Sequence, residues 1–119
     1  MNSEEIRDYC LLKKAVEESF PFDKETLVFK VGNKMFALMS LERQPTSINL
    51  KADPDWSLEL REEYHQIIPG YHMNKVHWNT VNVDGLKPDL IRKLIDHSYD
   101  LIFASLTKKV REEILLKNL

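Results

Sequence analysis

A chain of 119 residues with a formal net charge of -2, an isoelectric point near 6.1 and 43% hydrophobic residues carries enough apolar material to pack a single domain spanning 1–119. That composition excludes a disordered tail, no apolar run approaches the roughly 18 to 20 residues of a membrane helix, and the charge lacks the basic excess of a dedicated nucleic-acid protein. The single cysteine, Cys10, excludes an internal disulfide and cysteine-rich zinc centres, and fits a reducing compartment.

The chain opens Met1-Asn2-Ser3-Glu4-Glu5, with acids where a secretory signal carries bases, so a cytoplasmic protein is expected. Ile6, Cys10 and Lys13, alternating with Tyr9, Leu12 and Val16, predict a first helix from about Ser3 to Ser19, with Asn2 as its cap. Its carboxylates read as a solvated face because Arg7, Lys13 and Lys14 interrupt them. Pro21 should stop this helix after Phe20, and Phe22 should fold back as a hydrophobic plug.

Three strands are predicted next. Leu27, Phe29 and Val31 alternate with Val28 and Lys30, Gly32-Asn33 supplies a two-residue hairpin turn, and Met35 to Leu41 returns. The return strand is apolar on nearly both faces, which places it centrally beneath helices or under a partner chain. Ile48, Leu50 and Ala52 then point inward, while Ser47, Asn49 and Lys51 point out. Asp53-Pro54 starts a second helix, with Trp56, Leu60 and Tyr64 on its buried side and Glu59, Arg61, Glu62 and Glu63 on its wet face.

From Ile67 to Val83 the chain contains no acidic residue. Tyr71, His72, Asn74, Lys75, His77, Trp78 and Asn79 gather rings, imidazoles, amides and an ammonium there, a set suited to a polar or anionic partner. Val76, Trp78 and Thr80 share one strand face, whereas Val81 and Val83 share the other with His77 and Asn79. Either a β-bulge near Thr80 corrects the register, or Trp78 faces outward. Beyond the Asp84-Gly85 turn, a long helix is predicted from Asp89 to about Leu106, with Ser98 in its apolar stripe. A last amphipathic segment runs from Lys108 to Leu119.

Lys30 to Ala37, Ile48 to Pro54, Ile68 to Lys75 with His77-Trp78, and Asp96-His97-Ser98-Tyr99, in this order, resemble the MmcQ/YjbR-like family over almost the whole chain. Asn33 departs from that pattern, where a second glycine is common. The resemblance implies an α/β (α+β) fold: a two-layer α-β(3)-α-β(2)-α arrangement, with an antiparallel sheet covered by helices, similar to frataxin-like (CyaY-like) proteins and type III secretion chaperones. It also implies a strand boundary within Tyr71 to Val83, and a link to DNA through a proposed double-wing arrangement of hairpins.

DNA binding is therefore the expected activity. Lys34, Lys51 and Lys75 would meet phosphates, and Tyr71, His72, Asn74, His77, Trp78 and Asn79 would meet bases, provided the three lysines share a face. The alternative is a protein-protein or chaperone-like module that binds a partner or another copy of itself. Neither a catalytic centre nor a cofactor is expected. Cys10 lies in an apolar stripe, Ser98 reads as a packing residue, and His72 and His77 fall on opposite faces of a strand, with His65 and His97 distant. Were there chemistry, His77 beside Lys75 and Tyr71 would be the acid/base group.

Overall fold

The computed structural model describes residues 1–71 and 73–117. Helix α1 (Ser3–Leu12) begins with a reciprocal cap: Asn2 Oδ1 accepts from the Glu5 amide at 2.8 Å, and Glu5 Oε1 accepts from the Asn2 amide at 3.1 Å. It ends well before the predicted Ser19. Lys13 is extended, Ala15 takes φ 59°, and Glu17–Ser19 forms a short edge strand, β1, pairing with the next strand. Helical spacing favoured continuation, but reversing the chain satisfies an open strand edge and brings Glu18 onto Arg7, whose Nε donates to it at 2.7 Å.

Strands β2 (Thr26–Val31) and β3 (Lys34–Ser40) form the predicted hairpin, with Gly32 at φ 55° and Asn33 at φ 66°. A Cβ on Gly32 would lie 2.7 Å from Leu106 Cδ1 and displace that side chain, and the positive φ is what favours glycine there. Phe29 pairs with Ala37 and Lys30 with Met35, which makes Phe36 a bulged residue. Phe36 and Ala37 consequently both enter the core, while Met35 and Leu38 turn to the opposite face.

Strand β4 (Ser47–Lys51) follows, then helix α2 (Pro54–Glu63), begun by Asp53 with Pro54 in the first turn. Strands β5 (Ile67–Pro69) and β6 (Trp78–Asn82) complete an antiparallel sheet of order β1-β2-β3-β4-β6-β5. Helices α3 (Pro88–Ser105) and α4 (Lys108–Leu116) close the chain. The α+β class and two-layer design hold, with β1 as an added edge strand.

Pairing of β4 with β6 runs unbroken from Lys51 opposite Trp78 to Ser47 opposite Asn82. No bulge intervenes: Asn79 and Val81 face the helices, and Trp78 faces away with Thr80. Helices α1 and α3, with Leu60 of α2 and Ile114 of α4, bury the inner face around Phe29, Phe36, Met39, Ile48 and Val81. Burial here supplies most of the folding drive, since each large side chain removed from water contributes ~2 kcal/mol.

One run of α3 ties this layer together. Asp96 accepts from the Tyr9 hydroxyl at 2.7 Å and pairs with Lys13, and His97 Nε2 accepts from the Asp53 amide at 3.1 Å. Ser98 donates to the Phe36 carbonyl at 2.6 Å and accepts from the Lys51 amide at 2.9 Å, and Tyr99 donates to the Lys14 carbonyl at 2.6 Å. Four consecutive side chains thus hold α1, β3, β4 and the start of α2. Ser98 bonds across to the sheet rather than back to its own helix.

Candidate functional site

The sheet's outer face is covered by no helix among the described residues. Strands β2 to β6 contain no aspartate or glutamate at all, so the carboxylates of this weakly acidic chain are sorted onto helices, loops and β1. Lysine is the only charged residue in those strands. On this face lies an open groove of about 490 Å³. Its floor is Thr26, Met35, Leu38, Ser40, Ser47 and Asn49; Phe22 and Asp23 stand on one side, Tyr71 and Met73 on the other, and Arg43 at one end. Phe22 is 64% exposed, so it borders the groove instead of plugging the core as predicted.

The Tyr71 wall is held by three devices. The Gly70 amide donates to the Trp78 carbonyl at 2.7 Å, an approach so close that a Cβ on Gly70 would sit 2.9 Å from Trp78 Cβ. The Tyr71 amide donates to Thr80 Oγ1 at 3.1 Å. Arg61 reaches from α2 to donate to the Lys75 carbonyl at 2.6 Å, the Trp78 carbonyl at 3.3 Å and Asn79 Oδ1 at 2.7 Å. Arg61 therefore does not belong to a wet face: its guanidinium matches three acceptors of the following segment, an order that helical periodicity cannot report.

Groove polarity is set by a short chain of hydrogen bonds. Thr80 Oγ1 accepts from Tyr71 and donates to Asn49 Oδ1, which leaves the Asn49 Nδ2 donor without a bond among the described residues, in the groove floor. Arg43 lies 5.8 Å from the Tyr71 ring centroid, a cation-π distance. Among the described residues of the lining, Asp23 is the one carboxylate. Its oxygens accept from the Glu25 amide at 2.8 Å, the Thr26 amide at 2.7 Å and the Thr26 hydroxyl at 3.2 Å, and the two backbone bonds hold it below the ordinary carboxylate range.

The sequence-predicted residues are divided by this geometry. Lys51 is outward and half-buried opposite Trp78, and Lys75 and Tyr71 are exposed on the 70–77 segment. Lys34 does not join them: it extends over the end of α3, 3.4 Å from the Ser105 carbonyl, where the helix C-terminus attracts a cation. The three lysines stand toward one end of the sheet but do not share a face. Asn79 is 2% exposed and spends its amide on Arg61 and Ser57, so it is architecture and not a base contact. Asn74 Oδ1 accepts from the Val76 amide at 2.9 Å, forming a local turn. The carbonyl of half-buried His77 accepts from the Ala52 amide at 2.8 Å, and His72 lies outside the described residues.

The sequence reading missed Arg43, Met35, Leu38, Asn49 and Met73 as groove residues. The doubly apolar β3 was the available signal, since its second face had to meet something. Cys10 is buried, its thiol pushed up to about 12 by desolvation, and Ser98 is fully buried with its hydroxyl both donating and accepting.

Residues 11–101 match the family model described as YjbR. The chain is 42% identical over 100 residues to uncharacterized protein YbdF of Escherichia coli O157:H7, covering 83% of this chain and 82% of that protein. It is 32% identical over 113 residues to uncharacterized protein YjbR of Escherichia coli K12, covering 94% and 96%. The crystal structure of protein DR2400 from Deinococcus radiodurans superposes with a TM-score of 0.88 at 41% identity, covering 97% of this chain and 88% of that one. A crystal structure from Pseudomonas syringae superposes at 0.74 with 31% identity, covering 86% and 99%. With the family model spanning most of the chain and relatives matched along nearly their full lengths, this chain belongs to the YjbR family.

Proposed function

We propose that this protein binds DNA, as a single strand laid across the open face of its sheet. The observation that carries the reading is the absence of any carboxylate within strands β2, β3, β4, β5 and β6, on a sheet whose outer side carries Arg43 and Tyr71 at the groove, outward Lys51 and Trp78 on neighbouring strands, and exposed Lys75 on the 70–77 segment. A phosphate backbone seeks cations without nearby acids, and unstacked bases seek aromatic faces. Binding fits better than catalysis, because the candidate nucleophiles Cys10 and Ser98 are both spent on architecture. A cytoplasmic location accords with this role.

Fluorescence anisotropy of labelled single- and double-stranded oligonucleotides tests it. Three cations on a single strand give a log-affinity slope of about -2 against log salt, so a fourfold rise in salt weakens binding roughly 20-fold. Lys75→Glu should lose binding, whereas Lys34→Glu, on the helical side, should retain it. Absence of binding at low salt, or equal damage from both substitutions, would sink the proposal. Exposed Phe22, Ile68 and Val76 favour a second reading, a protein partner or another copy of this chain. It requires binding that salt leaves nearly unchanged.

A further inference from the structure

We propose that the groove is a nucleotide slot: one unstacked nucleotide of the bound strand enters it, the base between the Phe22 and Tyr71 sides over Met35 and Leu38, with its phosphate toward Arg43. This rests on the open-face reading and names what the groove itself takes. A free nucleoside monophosphate should then occupy the same place.

The groove's dimensions and chemistry carry the inference. About 490 Å³ lies in the range of sites that enclose small ligands, and its apolar lining supplies two aromatic side chains and two methionines, which adapt to flat heterocycles. Its fixed polar groups are donors. Asn49 lines the groove with its Oδ1 engaged by Thr80, which leaves its Nδ2 as the amide's donor for a ligand, and Arg43 contributes a guanidinium. Every base presents acceptors on an exposed edge, and a phosphate is all acceptor. The lone opposing group is Asp23, whose carboxylate is engaged by its own turn. Replacing its charge should therefore strengthen nucleotide binding.

Titration of the isotopically labelled protein with thymidine monophosphate, followed by two-dimensional NMR, is the direct test. Shifts should concentrate at the Asn49 side-chain amide, Ser47, Met35 and Leu38. Binding should weaken about tenfold in Asn49→Asp, which puts a carboxylate where the donor stood, and in Arg43→Gln; Asp23→Asn should tighten it, and Lys34→Ala, at the end of α3, should leave it unchanged. Unmoved Asn49 signals at roughly 10 mM thymidine monophosphate, where a site of about 1 mM would be near saturation, overturn the slot in the wild-type protein whatever the variants do. If oligonucleotides still bind with their salt dependence, only the slot has failed. Should the mononucleotide bind while oligonucleotides do not, the slot stands and the open-face reading falls.

Discussion

Arg61 in α2 donates to the carbonyl oxygen of Lys75 at 2.6 Å, so a helix on the inner layer sets the backbone of a segment that rims the outer face. The same guanidinium also satisfies Asn79 Oδ1, a buried acceptor with no other partner among the described residues. Arg61 thus ties α2 to the groove wall.

Arg61→Met keeps the aliphatic stem and removes three hydrogen bonds, stranding a buried amide oxygen. A stability loss of about 2 to 3 kcal/mol is expected in urea unfolding, with faster hydrogen exchange at the Gly70 and Trp78 amides. Exchange there unchanged from wild type would show that the wall stands without the arginine.

Ser98 joins α3 to the Phe36 carbonyl and the Lys51 amide inside the core. Ser98→Ala leaves both groups without that partner, and roughly 2 kcal/mol of stability should be lost with little change in secondary structure by circular dichroism. A variant as stable as wild type would mean that the serine contributes packing alone.

His97 accepts from the Asp53 amide through Nε2, so its neutral form is the one the fold uses. Burial pushes its pKa below the ordinary 6.5, against the opposing pull of Asp53 and Asp100. The unfolded chain therefore takes up this proton at higher pH than the folded one. His97's contribution is present above about pH 6.5 and is lost as pH falls through the lowered value. The difference in urea midpoint between wild type and His97→Gln should shrink as pH falls from about 7 to 5; a difference that grows would reverse the assignment.

Cys10 is buried against the core with its thiol pushed up to about 12. At about pH 8 a disulfide reagent should label it slowly in native protein and rapidly in denaturant, at a rate limited by opening of the fold. Rapid labelling of native protein would place the thiol nearer the surface.

Local chemistry was legible wherever a few neighbouring residues decide a structure. Asn2 with Glu5 capped α1, Gly32-Asn33 made the hairpin turn, and Asp53-Pro54 opened α2 as their spacing predicted. Where helical periodicity competed with a distant partner, it failed. Residues 13–19 read as helix until β2 offered Glu17, Glu18 and Ser19 a strand edge, and Arg61 read as solvent-facing until the 75–79 segment folded onto it.

From sequence alone, the chain determined most of its helices and strands, its central apolar strand and the acid-free stretch from Ile67 to Val83, because these depend on residue type and spacing, and its family resemblance implied the α+β class. Tertiary structure decided which side of the sheet each residue serves. A strand's side chains alternate between two faces, but only pairing and the Phe36 bulge settle which face meets the helices. That choice sent Asn79 inward and Trp78 outward, drew Lys34 to the end of α3, and assembled Arg43, Asn49 and Tyr71 from separate stretches into one groove.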